Sequence, residues 1–166
     1  MTRHATITHD TLNELLHYDM DTGLFTWLVA RGKATCGVVA GRIDHQGYRI
    51  IVINGRKYRA HRLAWFLVYG SFPKNGLDHI NGDKLDNRIE NLRDVSPSVN
   101  SQNFRQAHSD NPSGVIGVCW DASRRKWLAQ ICTAGVRKHL GRFDSLDAAR
   151  QAYLEAKRQF HPGCTI

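Results

Sequence analysis

The chain has 166 residues, of which 42% are hydrophobic and 23% are charged, so it should form one or two folded domains rather than stay disordered. No run of about 18 apolar residues occurs, which excludes a membrane-spanning helix. The polar residues 1–10 contain no apolar signal core, so we expect a cytoplasmic protein without a secretion signal.

The net charge of +8 is unevenly distributed. Residues 1–77 and 105–166 each carry ten Lys/Arg against five Asp/Glu, whereas residues 78–104 carry three against five. Two basic flanks favour a polyanionic partner through attraction and counterion release. Many soluble proteins are basic, so charge alone leaves nucleic-acid binding open, and the acidic centre needs a separate explanation.

The cysteines lie far apart in the chain. They form no Cys-x-x-Cys pair and no Cys/His spacing typical of a zinc site, so structural zinc is not expected. We expect reduced, mostly buried thiols at Cys36, Cys119, Cys132 and Cys164.

The N-terminal third contains several local structural signals. Asp10 can cap a helix at residues 11–17, and a strand is expected to run through Trp27. The Asn-Gly pair at 54–55 separates two strand-like runs and predicts a type I′ hairpin. The apolar stretch HRLAWFLVYG then predicts a short buried helix ending at Gly70.

In the acidic centre, residues 77–80 and 93–95 are predicted to be short strands. The intervening NRIENL forms one or two helical turns or a compact loop. Ser96, as an N-cap followed by Pro97, starts a helix expected to run to about Arg105.

The C-terminal part begins after a polar stretch containing Pro, residues 106–113, which we interpret as a linker. A helix capped by Asp144 or Ser145 should carry one apolar stripe, formed by Leu146, Ala149, Tyr153, Ala156 and Phe160. Before it, three strands are expected near residues 114–120, 126–133 and 136–141.

The centre also holds the candidate site residues Asp78, His79, Asn91 and Asn100. Carboxylate and amide oxygens are hard ligands that suit magnesium or manganese better than zinc. A histidine with a pKa of about 6.5 can take a proton from water at neutral pH. Asn and Asp also cluster in turns for backbone reasons, so residue types alone leave the metal site a hypothesis.

The stretch AHRLAW, followed by LDHINGDKLDNRIENLRDV and VNSQN, resembles the phage and intron-encoded, homing-type branch of the HNH endonuclease family over residues 59–103. The resemblance implies an α+β fold with a ββα-metal unit of two short antiparallel strands and a helix. It implies Asp78 as a metal ligand, His79 as the general base and Asn91 as the residue that orients the base. Asn100 stands where other branches have a metal-binding histidine.

The activity implied by the resemblance is hydrolysis of DNA to a 5′ phosphate and a 3′ hydroxyl. Mg²⁺, or Mn²⁺ in its place, would be held by Asp78 and Asn100, and His79 would deprotonate the attacking water. A site that holds a dication tolerates local negative charge, which would explain the acidic centre. The resemblance suggests a bacterial or phage-infected cell.

Four further basic residues near this motif leave two interpretations open. His61 either supports the site or packs at the start of its helix, and we favour packing. Phosphate contact and a solvated surface position are equally open for Arg62, Arg88 and Arg93.

The stretches SGVIGVCWDASRRKWLAQI and KHLGRFDSLDAARQAYLEAK resemble the AP2 DNA-binding domain over residues 114–163. The resemblance implies a three-stranded antiparallel sheet packed on one helix, with the sheet inserted into a major groove. Strand alternation points Ala129 and Ile131 toward the helix. The candidates for DNA contact are Arg124, Arg125, Gln130, Arg137 and His139. The alternative is a solvated basic sheet that binds DNA without preference.

Together these features predict an HNH nuclease domain at residues 1–105, with its core at about 59–105, and an AP2-like domain at 114–163. The expected partner is double-stranded DNA, nicked site-selectively by a monomer or cut in both strands by a homodimer. The alternatives are a DNA-binding regulator with an inactive nuclease site and an RNA-directed nuclease. The target sequence and a role in homing, packaging or defence stay open.

Overall fold

A computed structural model describes residues 7–30, 32, 34–104 and 107–165. Within them the chain has four α-helices and several small antiparallel sheets, which confirms the α+β class. The chain divides into two compact units, Met1–Val95 and Ser96–Ile166. The predicted linker boundary stays a prediction, because Arg105 and Gln106 lie outside the described residues.

The first unit alternates short strands with two helices, and a 3-10 turn at Ile89–Asn91 precedes its last strand. The elements are α1 (His9–Leu15), β1 (Leu16–Tyr18), β2 (Phe25–Trp27), β3 (Arg42–Ile43), β4 (Arg49–Ile53), β5 (Arg56–Arg59), α2 (Ala60–Tyr69), β6 (Gly76–His79) and β7 (Leu92–Val95). β1 pairs with β2, β4 lies between β3 and β5, and β6 pairs with β7, all antiparallel.

The first helix begins and ends earlier than predicted. The Thr8 hydroxyl caps α1 by accepting a hydrogen bond from the Thr11 backbone N–H at 3.1 Å, so the prediction of Asp10 as the cap is wrong. Leu16 leaves the helix because it starts β1, where it pairs with Trp27 of β2. The predicted strand through Trp27 is confirmed.

The hairpin and the helix that follows it are confirmed. Asn54 and Gly55 have φ values of 51° and 76°, the left-handed pair that a type I′ turn requires between β4 and β5. α2 ends at Gly70, whose φ of 71° forms a left-handed C-cap. Ile51 of β4 and Leu63 of α2 are both fully buried, so the helix and this sheet share one core.

The β6–β7 hairpin positions the central motif. Asp78 pairs with Arg93 and His79 with Leu92 across the two strands. The NRIENL stretch contains the 3-10 turn, which agrees with the expected helical turn or compact loop. Both predicted short strands are confirmed, and β6 ends at His79.

The second unit is a three-stranded antiparallel sheet packed on its longest helix. The elements are α3 (Pro97–Gln102), β8 (Val118–Asp121), β9 (Lys126–Thr133), β10 (Val136–Phe143) and α4 (Leu146–Phe160). Ser96 caps α3 as predicted, and this helix is shorter than expected. In the sheet β9 lies between β8 and β10.

The predicted packing faces of this sheet are confirmed. Ala129 and Ile131 are buried against α4 at 0% and 2% exposure, and Ser145 caps the helix by accepting from the Ala148 N–H at 3.1 Å. The first strand starts at Val118 rather than near residue 114. Gly117 precedes it with a φ of 70°, which breaks the extended conformation.

The four cysteines, all of them among the described residues, form no disulfide, but the expectation that they are mostly buried is wrong. Cys36, Cys119 and Cys132 are exposed, and Cys164 is half-buried. Strand alternation explains two of them, since Cys119 and Cys132 each follow a buried residue and so point away from α4. Among the described residues, no helix combines the length and the apolar character needed to cross a bilayer.

Candidate active site

The candidate site lies at the end of β6, where two neighbouring polar side chains are both buried. Asp78 and His79 are 7% and 4% exposed. Successive side chains of a regular strand point to opposite faces, so this pair is enclosed from both sides of the hairpin. Polar groups withdrawn from water need hydrogen-bond partners, and those partners define the site.

His79 is held by an asparagine that the sequence did not single out. Its Nε2 lies 3.3 Å from Oδ1 of Asn87, which is 1% exposed. The Asn87 amide nitrogen donates to the Leu85 carbonyl at 3.1 Å, which fixes the amide so that Oδ1 faces the ring. A carbonyl oxygen only accepts, so Nε2 carries the proton and the basic lone pair of the neutral ring is on Nδ1.

The protonation of His79 suits a base at neutral pH. Burial lowers its pKa, and the hydrogen bond to Asn87 and the charges of Asp78, Asp83 and Asp86 partly oppose that shift. With a pKa below 6.5 the imidazole is predominantly neutral at pH 7 and can accept a proton.

Two aromatic side chains enclose the His79 ring. The ring of His61 stands edge-on to it with a centroid distance of 5.0 Å, and the Tyr48 ring lies 6.0 Å away. His61 is the second residue of α2 and is 4% exposed, and burial lowers its pKa to about 3. The burial of His61 agrees with the preferred interpretation as a packing residue, but its ring packs against the candidate base, so a supporting role in the site stays a prediction.

Asp78 is paired with a guanidinium. Arg93 donates to Oδ2 of Asp78 from Nε at 2.9 Å and from Nη2 at 2.7 Å. The two residues face each other across β6 and β7, so the pair is set by strand register. Arg93 therefore has a defined partner in the site rather than a solvated surface position.

Asn91 holds the loop that follows His79. Its Oδ1 accepts from the Asn81 backbone N–H at 2.9 Å, and its Nδ2 donates to the Asp86 carbonyl at 2.8 Å. These bonds close residues 81–86 into a fixed loop that leads directly to Asn87. Any effect of Asn91 on the orientation of His79 would act through this loop, and its predicted catalytic role stays a prediction.

Several acidic residues of the centre stabilise this loop. Asp83 accepts from the Leu85 N–H at 2.9 Å, and Asp86 accepts two guanidinium bonds from Arg88, each 2.8 Å long. The Arg88 hydrogen bond is the main cause that lowers the pKa of Asp86 to about 2. Asp83 and Asp86 therefore account for part of the acidic surplus without a metal, because one binds the loop backbone and the other pairs with Arg88.

Asn100, the second predicted metal ligand, lies on α3 in the second unit. Its backbone N–H donates to the Ser96 carbonyl at 2.9 Å in the first turn of that helix. The pairing of Asn100 with Asp78 on one metal ion stays a prediction.

Three of the five predicted DNA-contacting residues of the second unit lie on one face of its sheet. Arg137 pairs with Cys132 and His139 pairs with Gln130, so these side chains share the sheet face turned away from α4. Arg124 and Arg125 are exposed in the turn between β8 and β9. Their function as DNA contacts stays a prediction.

Comparison with known proteins identifies relatives of the chain. A family model described as HNH endonuclease matches residues 58–102. The chain is 31% identical to Protein 3.8 of Escherichia phage T7 over 104 residues, which cover 62% of this chain and 84% of that protein. It is 26% identical over 147 residues to an HNH endonuclease of Acanthamoeba polyphaga mimivirus, covering 81% of this chain and 75% of that protein. No solved structure matches the chain.

Proposed function

The chain belongs to the HNH endonuclease family, and we propose that it is a metal-dependent DNA endonuclease in which His79 is the general base. One observation carries the proposal. The buried, neutral imidazole of His79 is held at Nε2 by Asn87, and the residue before it, Asp78, is a buried carboxylate whose charge acts on the ring. This arrangement fixes one tautomer, in which Nδ1 is the atom that can accept a proton from water.

The donor atoms suit a magnesium ion. Magnesium binds hard oxygen ligands and commonly takes one or two carboxylates, substrate phosphate and water. Asp78 supplies the carboxylate, and we propose that Asn100 supplies an amide oxygen, with manganese as an effective substitute. A bound Mg²⁺ would stabilise the negative charge that develops on the scissile phosphate.

His79 moves the proton in the hydrolytic step. Its Nδ1 takes a proton from water as the water oxygen bonds to phosphorus and the P–O3′ bond breaks. The departing 3′ oxygen takes a proton from solvent, and the imidazolium returns its proton to solvent. The products are a 5′ phosphate and a 3′ hydroxyl.

We propose that the second unit, which resembles an AP2 domain, binds the same duplex. Its open sheet face presents Arg137, His139 and Gln130, and the turn beside it presents Arg124 and Arg125. Basic side chains on a sheet bind phosphates by charge and can read base edges in a major groove. Linking this surface to the nuclease unit raises the local concentration of DNA at the catalytic site. Selective nicking of one strand by a monomer is the expected outcome.

A second candidate function, a DNA-binding regulator with an inactive site, is favoured by one contact. The carboxylate proposed as the metal ligand already accepts two hydrogen bonds from Arg93. A dication would have to share Asp78 with that guanidinium or displace it, at an electrostatic cost.

Cleavage of supercoiled plasmid separates the two functions. We expect the wild-type chain to produce open circles with Mg²⁺ and none with EDTA. His79→Ala should cut about 10²–10⁴-fold more slowly while still shifting DNA on a gel. His17→Ala, at an exposed histidine of β1, is the matched control and should cut normally.

If wild type and His79→Ala both bind several DNAs and neither cuts them, the regulator is the better description. Linear product that appears together with the first open circles would indicate a dimer.

A further inference from the structure

Two cations converge on one aromatic ring beside the candidate base. The guanidinium carbon of Arg59 lies 4.2 Å from the centroid of the Tyr48 ring, and Nζ of Lys84 lies 5.0 Å from it. Both cations also bind Gln46, since Arg59 donates to its side-chain oxygen and Lys84 donates to its backbone carbonyl at 3.0 Å. A ring face attracts a cation, and the shared Tyr48 ring and the shared Gln46 keep both cations beside that ring.

This pair of cations has no ion-pair partner. None of the salt bridges formed by the described residues includes Arg59 or Lys84. Bringing two like charges together without an anion is unfavourable, so a third group of negative charge would be attracted to the site.

The neighbouring carboxylates are engaged elsewhere. Asp44 accepts from the backbone N–H groups of Gln46 and Tyr48, each at 2.9 Å, and although the charge of Arg59 helps to lower its pKa, the two do not form a salt bridge. Asp83 accepts from a backbone N–H of its own loop, and Asp86 is paired with Arg88. Among the described residues, no carboxylate therefore forms a salt bridge with either of these two cations.

The Tyr48 ring connects the cations to the catalytic histidine. Its centroid lies 6.0 Å from that of His79 and 5.2 Å from that of His61. Arg59 is the residue directly before α2, which carries His61, and Lys84 belongs to the loop that follows His79. An anion held by the pair would therefore lie within a few side chains of the reacting phosphate.

We propose that Arg59 and Lys84 form a phosphate-binding pair, built on the Tyr48 ring, that holds a backbone phosphate of duplex DNA close to the phosphate attacked by His79. The guanidinium offers a planar fork of donors and the ammonium offers a compact charge, two forms that suit phosphate oxygens. This inference rests on the proposed function for its substrate. It adds a positioning site that fixes the DNA relative to the base.

Salt dependence of DNA binding tests the pair. The full-length chain is titrated into labelled duplex DNA in EDTA, which prevents cleavage, over a series of salt concentrations. We expect Arg59→Gln and Lys84→Gln each to weaken binding and to reduce the slope of log K against log salt by about 0.9, the value for one phosphate contact. Arg59→Lys, which keeps the charge, should retain most of the slope.

Arg56→Gln is the matched control, because it removes the same charge from the same strand at an exposed position. Its slope should stay near the wild-type value. An unchanged slope in Arg59→Gln and Lys84→Gln, or an equal loss in Arg56→Gln, would overturn the inference. DNA binding is measured in EDTA and does not require cleavage. A wild-type chain that binds DNA but never cuts it would therefore count against the endonuclease proposal without deciding for or against the phosphate-binding pair.

Discussion

The rings of His61 and His79 meet edge to face at a centroid distance of 5.0 Å, and both side chains are at most 4% exposed. Two buried imidazoles in contact cannot both be charged without strong repulsion in a poorly solvated site. Burial lowers the pKa of each, and the charge of the neighbouring histidine adds to the shift at His61. At neutral pH the candidate site therefore contains two neutral imidazoles in contact.

The first prediction is that acid destabilises the first unit through His61. Its pKa falls from 6.5 to about 3 on folding, so the unfolded chain binds the proton more readily. The contribution of His61 to stability is complete above pH 6.5 and is lost as the pH drops toward 3, by on the order of 5 kcal/mol in all.

Urea unfolding of wild type and His61→Leu between pH 7 and pH 4 measures this effect. The substituted chain should show a flatter dependence on pH, even if it is less stable at pH 7. His108→Gln, at an exposed residue of the second unit, should keep the wild-type dependence. Identical curves for wild type and His61→Leu would contradict the assignment.

The second prediction concerns Asn87 as the residue that positions the base. Asn87→Ala should slow single-turnover cleavage by less than His79→Ala does, because the base remains but its tautomer is no longer fixed. Asn87→Asp places a carboxylate beside Nε2 and should raise the pKa of His79. Since the base acts only when neutral, the rising limb of the pH–rate profile should move to higher pH in Asn87→Asp.

A surface pair provides the control for this prediction. The Asn13 amide lies 2.9 Å from a ring nitrogen of His9 on α1, away from β6. Asn13→Asp should leave the pH–rate profile where it is in wild type. A profile that does not move in Asn87→Asp would show that Asn87 only stabilises the loop.

Much of the fold could be predicted because its signals are local. The Asn54-Gly55 turn, the Gly70 cap and the alternation along β9 each follow from a few neighbouring residues and were confirmed. The cap of α1 was misplaced because Thr8 and Asp10 are both good N-cap residues, and the pairing of Leu16 in β1 set the end of the helix.

Several contacts of the candidate site could not be predicted from the sequence. Asn87 is eight residues beyond His79 inside a polar loop, and nothing in its spacing separates it from the other asparagines. Tyr48 reaches His79 only after a sheet, α2 and the β6–β7 hairpin have packed together. Such contacts form only through tertiary packing. The sequence motif identifies candidate residues by type and spacing, but it does not show which side chains they contact.

The third prediction is that Arg93 limits the access of metal to Asp78. Arg93→Gln should lower stability by about 1–3 kcal/mol, because it leaves a buried carboxylate without its charged partner. Mg²⁺ should then raise the melting temperature of Arg93→Gln by more than it raises that of wild type, since the ion replaces the lost charge.

The ion pair of Arg142 with Asp121, also 2.9 Å long, is the control for Arg93. Its arginine is 37% exposed, so Arg142→Gln should cost less stability than Arg93→Gln does and show no added response to Mg²⁺. Thermal melts with and without Mg²⁺ measure all three chains. Equal metal responses in wild type and Arg93→Gln would argue against metal binding at Asp78.

The fourth prediction tests the packing of the second unit at Gly117. Its φ of 70° disfavours any side chain, and an added Cβ would lie 2.2 Å from the Tyr153 ring and 2.6 Å from the Gln130 carbonyl oxygen. Backbone strain and overpacking each cost about 1–3 kcal/mol, so Gly117→Ala should lose about 2–6 kcal/mol.

Gly135 has a similar φ of 78° but no atom within 4 Å of the added Cβ, so Gly135→Ala should lose only the backbone part. The difference between the two losses in denaturant unfolding therefore measures the close packing around Gly117, and equal losses would show that Tyr153 moves aside without cost.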